Sequence, residues 1–172
     1  MLFIILGIQI LIIAAGVGFH LVRNKHDRSA VGAFEAFIPW FFFAIVGLGG
    51  VRDFFYHTFD PNATAELIGW PAGNPFQSEV AMANLSYGIL GLLSLHYRGI
   101  FWWATSIAYS IFLWGDAYVH IREIIVNNNR EPANAGFPLY ADILIPAIAY
   151  SLLLIHWRLR SRAAVRGRPV HA

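Results

Sequence analysis

Asp116, His120 and Glu123 lie within "GDAYVHIREII", at the end of an apolar segment that begins near Ile100. At about 100° per residue, His120 falls about 40° from Asp116 and Glu123 about 20° to the other side, so all three share one helix face. Phe112, Tyr109 and Thr105 continue the same stripe inward. Ionisable groups in an apolar helix are costly and face a bundle interior or a watery cavity. Three chemistries fit. A His with several carboxylates binds a divalent metal, and iron, manganese or zinc suits such donors better than copper. His-x-x-Glu spacing supplies two ligands from one turn, in the reverse order of the Glu-x-x-His pairs of di-metal bundles. The same groups can relay protons, or act as acid and base on a lipid-soluble, quinone-like molecule. The third option is structural, with Glu79 or Asp142 neutralising Arg52 or Arg122.

These residues need elements to position them. The chain of 172 residues is 58% hydrophobic and only 13% charged, against about 25% charged in a soluble domain. This composition points to an integral membrane protein. The absence of cysteine removes disulfides, thiolate chemistry and the usual iron–sulfur and structural zinc sites. A membrane helix needs roughly 20 mostly apolar residues. Five segments qualify, at about 2–22, 30–51, 79–96, 100–126 and 138–157. The expected fold is therefore all-α, a single bundle over 1–158 with a basic cytoplasmic tail at 159–172. The first segment lacks a basic n-region and a cleavage site, so it reads as a helix rather than a signal peptide.

Lys and Arg set the orientation. With the N-terminus outside, Arg23, Lys25, Arg28, Arg98, Arg158, Arg160, Arg162, Arg166 and Arg168 fall inside, and Arg52, Arg122 and Arg130 outside. The tail then reads as a topology anchor beside anionic lipid, not as a nucleic-acid arm. In this frame Glu79, Asp142, Arg52 and His57 reach the level of His120 and Glu123 from separate segments. Glu79, Asp116, His120, Glu123 and Asp142 become the candidate metal ligands of an outward-facing site.

The connection from Arg52 to Ser78 carries turn residues such as Pro61, Pro71 and Gly73, together with Phe54, Phe55, Phe59, Ile68, Trp70 and Phe76. So apolar a loop should fold back on the bundle or lie at the interface, where Trp70 and Phe76 suit an aromatic belt. His20, His96 and His156 sit at inner helix ends, with a shared inner metal site as the bolder reading. Glu35 is expected to meet Arg28, Arg98 or the headgroups. Asn84, with Ala81, Gly88 and Gly91, reads as a close-packing face across which Asn can bond. Pro39 and Pro146 should kink their helices, and Pro146 frees a carbonyl one turn from Asp142. Asn127, Asn128, Asn129, Asn134, Gly136 and Pro138 end one helix and open the next. They could also form a lid.

Three motifs in order, "IGWPAGNPFQSEVAMANLSYGILGLL", "GDAYVHIREI" and "NAGFPLYADILIP", resemble a family of small bacterial membrane proteins catalogued as a domain of unknown function. The resemblance covers about residues 50–147. It implies a polytopic membrane protein and carries no catalytic assignment. The matching positions are Gly69, Trp70, Pro75, Phe76, Gln77, Glu79, Asn84, Gly115, Asp116, His120, Asn134, Gly136, Asp142 and Pro146. No nucleotide loop, haem-attachment motif or nucleophile motif is present. The functional expectation is a bacterial inner-membrane protein, N-terminus periplasmic and C-terminus cytoplasmic, with a metal-binding or acid–base site. Its alternatives are a non-catalytic accessory or assembly subunit of a larger membrane complex, and a small transporter. The expected partners are the lipid bilayer and a membrane protein or a second copy, not nucleic acid.

Overall fold

The computed structural model describes residues 2–23 and 29–167. Lys25, Arg28 and Arg168, which the charge distribution counts on the inner side, lie outside the described residues, as does the end of the tail. Among the described residues every regular element is helical: α1 (Leu2–Arg23), α2 (Ala30–Phe41), a π-helical turn (Phe42–Gly47), α3 (Leu48–Phe59), α4 (Pro61–Ile68), α5 (Phe76–Leu93), α6 (Ile100–Asn127), α7 (Pro132–Ala135) and α8 (Phe137–Val165).

The all-α expectation holds, and three stretches are long and apolar enough to cross a membrane: Ile4–Arg23, Ala30–Phe59 and Pro132–Val165. The surface matches, since Ile4, Leu11, Ile107, Ile111, Ile125 and Leu144 are exposed. A water-facing protein rarely shows so continuous an apolar surface. The helices α5 and α6 are more polar because they carry the interior hydroxyls, amides and acids, including Asn84, Thr105, Ser106, Ser110 and Asp116. The last helix runs on to Val165, so the boundary expected at residue 158 falls inside it, and Arg158, Arg160 and Arg162 ride on its final turns.

Ser29 opens α2, its side chain accepting from the Gly32 N–H at 3.1 Å, a normal N-cap. Pro39 lies within α2, and the helix passes at once into the π-helical turn and on into α3. A proline cannot supply the N–H that would bond to the carbonyl four residues back. Here that carbonyl belongs to Glu35, and Arg98 donates to it from Nη1 at 3.4 Å. The π turn also presents the Ala44 carbonyl to Gln9, whose Nε2 donates to it at 2.9 Å and ties α1 to the bundle.

Small residues set the approach of α5 to the π turn and α3. A Cβ on Gly91 would overlap the backbone of Gly47, and one on Gly50 would press on the backbone of Asn84 and Gly88. The expected close-packing face is therefore real. The Asn84 side chain, however, donates to Val80 of its own helix at 3.1 Å rather than across the interface. With the backbones already touching, no room remains for an amide between them. The central core joins α2 and the π turn to α6 and α8 through Ile38, Phe42, Val46, Trp102, Leu113 and Leu153. In lipid such a core is held by packing, since lipid tails are as apolar as the side chains themselves.

Candidate functional site

One end of the bundle gathers polar groups from α3, α4, α6, α7 and α8, and His120 is its centre. The His120 side chain is buried on the inward face of α6 with Thr105, Tyr109 and Leu113, as the helical angles require. The loop that follows is folded by its own asparagines. Asn128 takes a left-handed conformation, φ 50°, and its N–H and that of Asn129 close on the Glu123 carbonyl. Asn129 Oδ1 accepts from the Glu131 N–H at 3.1 Å, while its Nδ2 donates to the Ile68 carbonyl at 2.8 Å. This fastens the α6–α8 loop to the end of α4.

The fastening carries Asn134 under His120. Asn134 is fully buried. Its Nδ2 donates to the carbonyls of Asn129 at 2.9 Å and His120 at 3.3 Å, which fixes the orientation of its amide. Asn134 Oδ1 must then be the acceptor for His120 Nδ1, at 2.8 Å. The neutral imidazole therefore carries its proton on Nδ1 and keeps a lone pair on Nε2. His120 Nε2 faces Asp142 Oδ2 at 3.7 Å, an ion-pair distance longer than a hydrogen bond. Trp70 covers the ring in a stacked arrangement, centroids 6.4 Å apart.

Asp116 is half-buried about one turn deeper on α6. The carboxylates of Asp53, Asp116 and Asp142 and the guanidinium of Arg52 all act electrostatically on the buried Tyr109, which places them around one interior region. Arg52 grips Asp53 in a fork, Nε to Oδ1 at 2.7 Å and Nη2 to Oδ2 at 2.9 Å. A fork of this kind is among the stronger charge-assisted pairs.

The five residues expected to hold a metal are not brought together. His120 and Asp142 face each other, and Asp116 lies about one turn deeper on α6. Glu123 turns to its own helix, accepting from Asn127 at 2.8 Å and lying 3.6 Å from Arg122. Glu79 is exposed in the first turn of α5, where a carboxylate complements the helix dipole. Gln77 points inward instead and meets His57 Nδ1 at 2.5 Å. Among the described residues no group of three or more His, Asp or Glu side chains is close enough to hold a metal ion. The expected neutralisation of Arg52 or Arg122 by Glu79 or Asp142 is likewise replaced by pairs between sequence neighbours, because a neighbouring acid needs no loop to be ordered first.

Several participants escaped the helical-face argument. Asp53 adjoins Arg52 at the end of an apolar span, a signal present in the sequence. Asn134 read as a turn former and Trp70 as an interfacial anchor. The 52–78 segment, expected as a loop that folds back or lies at the interface, instead prolongs α3 to Phe59, forms α4 and lays the Trp70 ring on His120.

The opposite end holds a second pair. Glu35 Oε1 lies 3.3 Å from His156 Nε2 and 3.9 Å from Arg160 Nη1. The expected partner Arg98 binds the Glu35 backbone and stands over the Trp102 ring at 5.9 Å. Trp102 also meets His156 edge to face at 5.9 Å. His96 is exposed, with its ring against Tyr97.

One family model, described as a family of unknown function, matches residues 2–162, well beyond the 50–147 that the three motifs cover. No curated protein and no solved structure matches the chain.

Proposed function

The chain belongs to that family, DUF6790, and we propose that it is a five-span bacterial inner-membrane protein handling protons at the Asp142–His120 pair. The N-terminus is periplasmic, the C-terminus is cytoplasmic, and the pair opens to the periplasmic side. The carrying observation is the fixed tautomer of His120. Asn134 holds Nδ1–H, so the lone pair on Nε2 is aimed at Asp142. A proton on Asp142 can pass to Nε2 and return, while Trp70 shields the ring.

The acid–base reading is favoured over the iron, manganese or zinc site because His120 and Asp142 supply two donors, where such metals take four or more. Five spans are supported by the lengths of α5 and α6, about 27 Å and about 42 Å at 1.5 Å per residue, against a hydrocarbon core of about 30 Å.

Infrared difference spectra of vesicle-reconstituted protein, taken against external pH, test the proposal. The Asp142 carboxyl band and the His120 ring modes are expected to change together, and His120→Asn should abolish the ring modes and shift the pH at which the Asp142 band changes. Bands that do not respond to external pH would remove the reading. A thermal midpoint that falls on chelation would restore the metal site.

A further inference from the structure

The two ends of the bundle repeat one arrangement. Glu35 and Asp142 each precede a buried proline by one turn, Pro39 and Pro146. Each acid faces a buried histidine from another helix, His156 and His120 respectively. Each histidine lies against a tryptophan, Trp102 and Trp70. Asp142 and His156 both belong to α8, about 21 Å apart along its axis at 1.5 Å per residue. The two carboxylate–histidine pairs therefore stand near opposite faces of one membrane-sized interior.

Between them runs the inward face of α6. Thr105 and Ser106 are each 1% exposed. Their hydroxyls, Thr105 Oγ1 and Ser106 Oγ, have no hydrogen-bond partner among the described residues. Other helical serines here behave differently: Ser86, Ser94 and Ser151 each donate to the carbonyl four residues back. That local bond is the ordinary way for a hydroxyl to live inside an apolar helix. Burying a hydroxyl without a partner is costly, and the usual remedy is an internal water held by two to four polar groups. Trp102 and Ser106 are one turn apart, as are Thr105 and Tyr109, so the stripe leads from the ring on His156 to the tyrosine amid Asp53, Asp116 and Asp142.

We propose that this stripe is a transmembrane proton path, with Glu35–His156 as one terminal and Asp142–His120 as the other. The Thr105, Ser106 and Tyr109 hydroxyls carry the proton between them with water. One proton enters at one pair and one leaves at the other, so each transfer moves one positive charge and no electrons. Arg160, Arg98 and His20 lie near the Glu35 terminal, and Asp116 and Asp53, the latter held by Arg52, near the other. The inference rests on the outer pair exchanging protons, and goes beyond it by adding the second terminal and the route.

The test is proton uptake into proteoliposomes driven by a potassium diffusion potential, read by a trapped pH dye. Wild-type protein should acidify the lumen faster than protein-free vesicles. Glu35→Gln and His156→Asn should return the rate to the protein-free value. So should the nearly isosteric Thr105→Val paired with Ser106→Ala, whose fold is checked by circular dichroism. Ser151→Ala, which removes a hydroxyl bonded within its own helix, should leave the rate unchanged. A wild-type rate equal to that of protein-free vesicles, or full flux in Glu35→Gln or in the hydroxyl double variant, overturns the path. If the Asp142 band still follows external pH in those vesicles, only the path has failed. If it does not, the outer site has failed as well.

Discussion

Asn134 and His120 clasp each other twice: Oδ1 of the amide meets Nδ1 of the ring at 2.8 Å, and Nδ2 of the amide donates to the His120 carbonyl at 3.3 Å. One residue of α7 thus decides which nitrogen of the buried His120 is left facing Asp142. The pair is small, but it leaves the Nε2 lone pair of the neutral ring on the Asp142 side.

Asn134→Ala should cost about 1–3 kcal/mol, because it leaves a buried ring N–H and two carbonyls without their partner. It should also release the tautomer. Nitrogen NMR of histidine-labelled protein is expected to show Nδ1–H for His120 in the wild type and a mixture of tautomers in the variant. A single unchanged tautomer in Asn134→Ala would show that the amide does not set it.

The contact of α5 with the π turn predicts a sharp contrast between two glycines. Gly91→Ala forces a methyl group into the Gly47 backbone, and overpacking of this kind costs about 1–3 kcal/mol. At Gly115 a Cβ meets nothing within 4 Å, so Gly115→Ala should be neutral or stabilising by about 0.4–1 kcal/mol. Thermal unfolding in detergent compares them directly, and equal midpoints would contradict the packing described.

Because the chain holds no cysteine, single cysteines report topology without background. Cysteines placed at Ala72 and Asn128 should react with an impermeant maleimide in intact cells. Those at Tyr97 and Ser161 should react only after permeabilisation. Labelling of all four in intact cells, or the inverse pattern, would overturn the five-span arrangement with a periplasmic N-terminus.

Hydropathy determined the long helices, because an apolar run in a bilayer has to satisfy its backbone hydrogen bonds locally, but not the extension of α3 to Phe59 or the short α4 and α7. The α6 bounds and the inward face of α6 follow from spacing and residue type. A period of 3.6 identifies a face, so Asp116, His120 and Tyr109 could be placed together on one helix. It does not say which residue of another helix stands opposite. That is why Glu79 and Glu123 were expected at a site they do not join, why the Glu35–His156 pair went unassigned, and why Asn134 read only as a turn residue. Those partnerships depend on helix rotation and on the path of one loop. Rotation was decided by backbone contact at Gly47 and Gly91, and the loop by Asn129 closing on Ile68. The small-residue face of α5 was legible, but its partner Gly47 and the closure of Asn129 on Ile68 are long-range contacts that no local pattern in the sequence encodes.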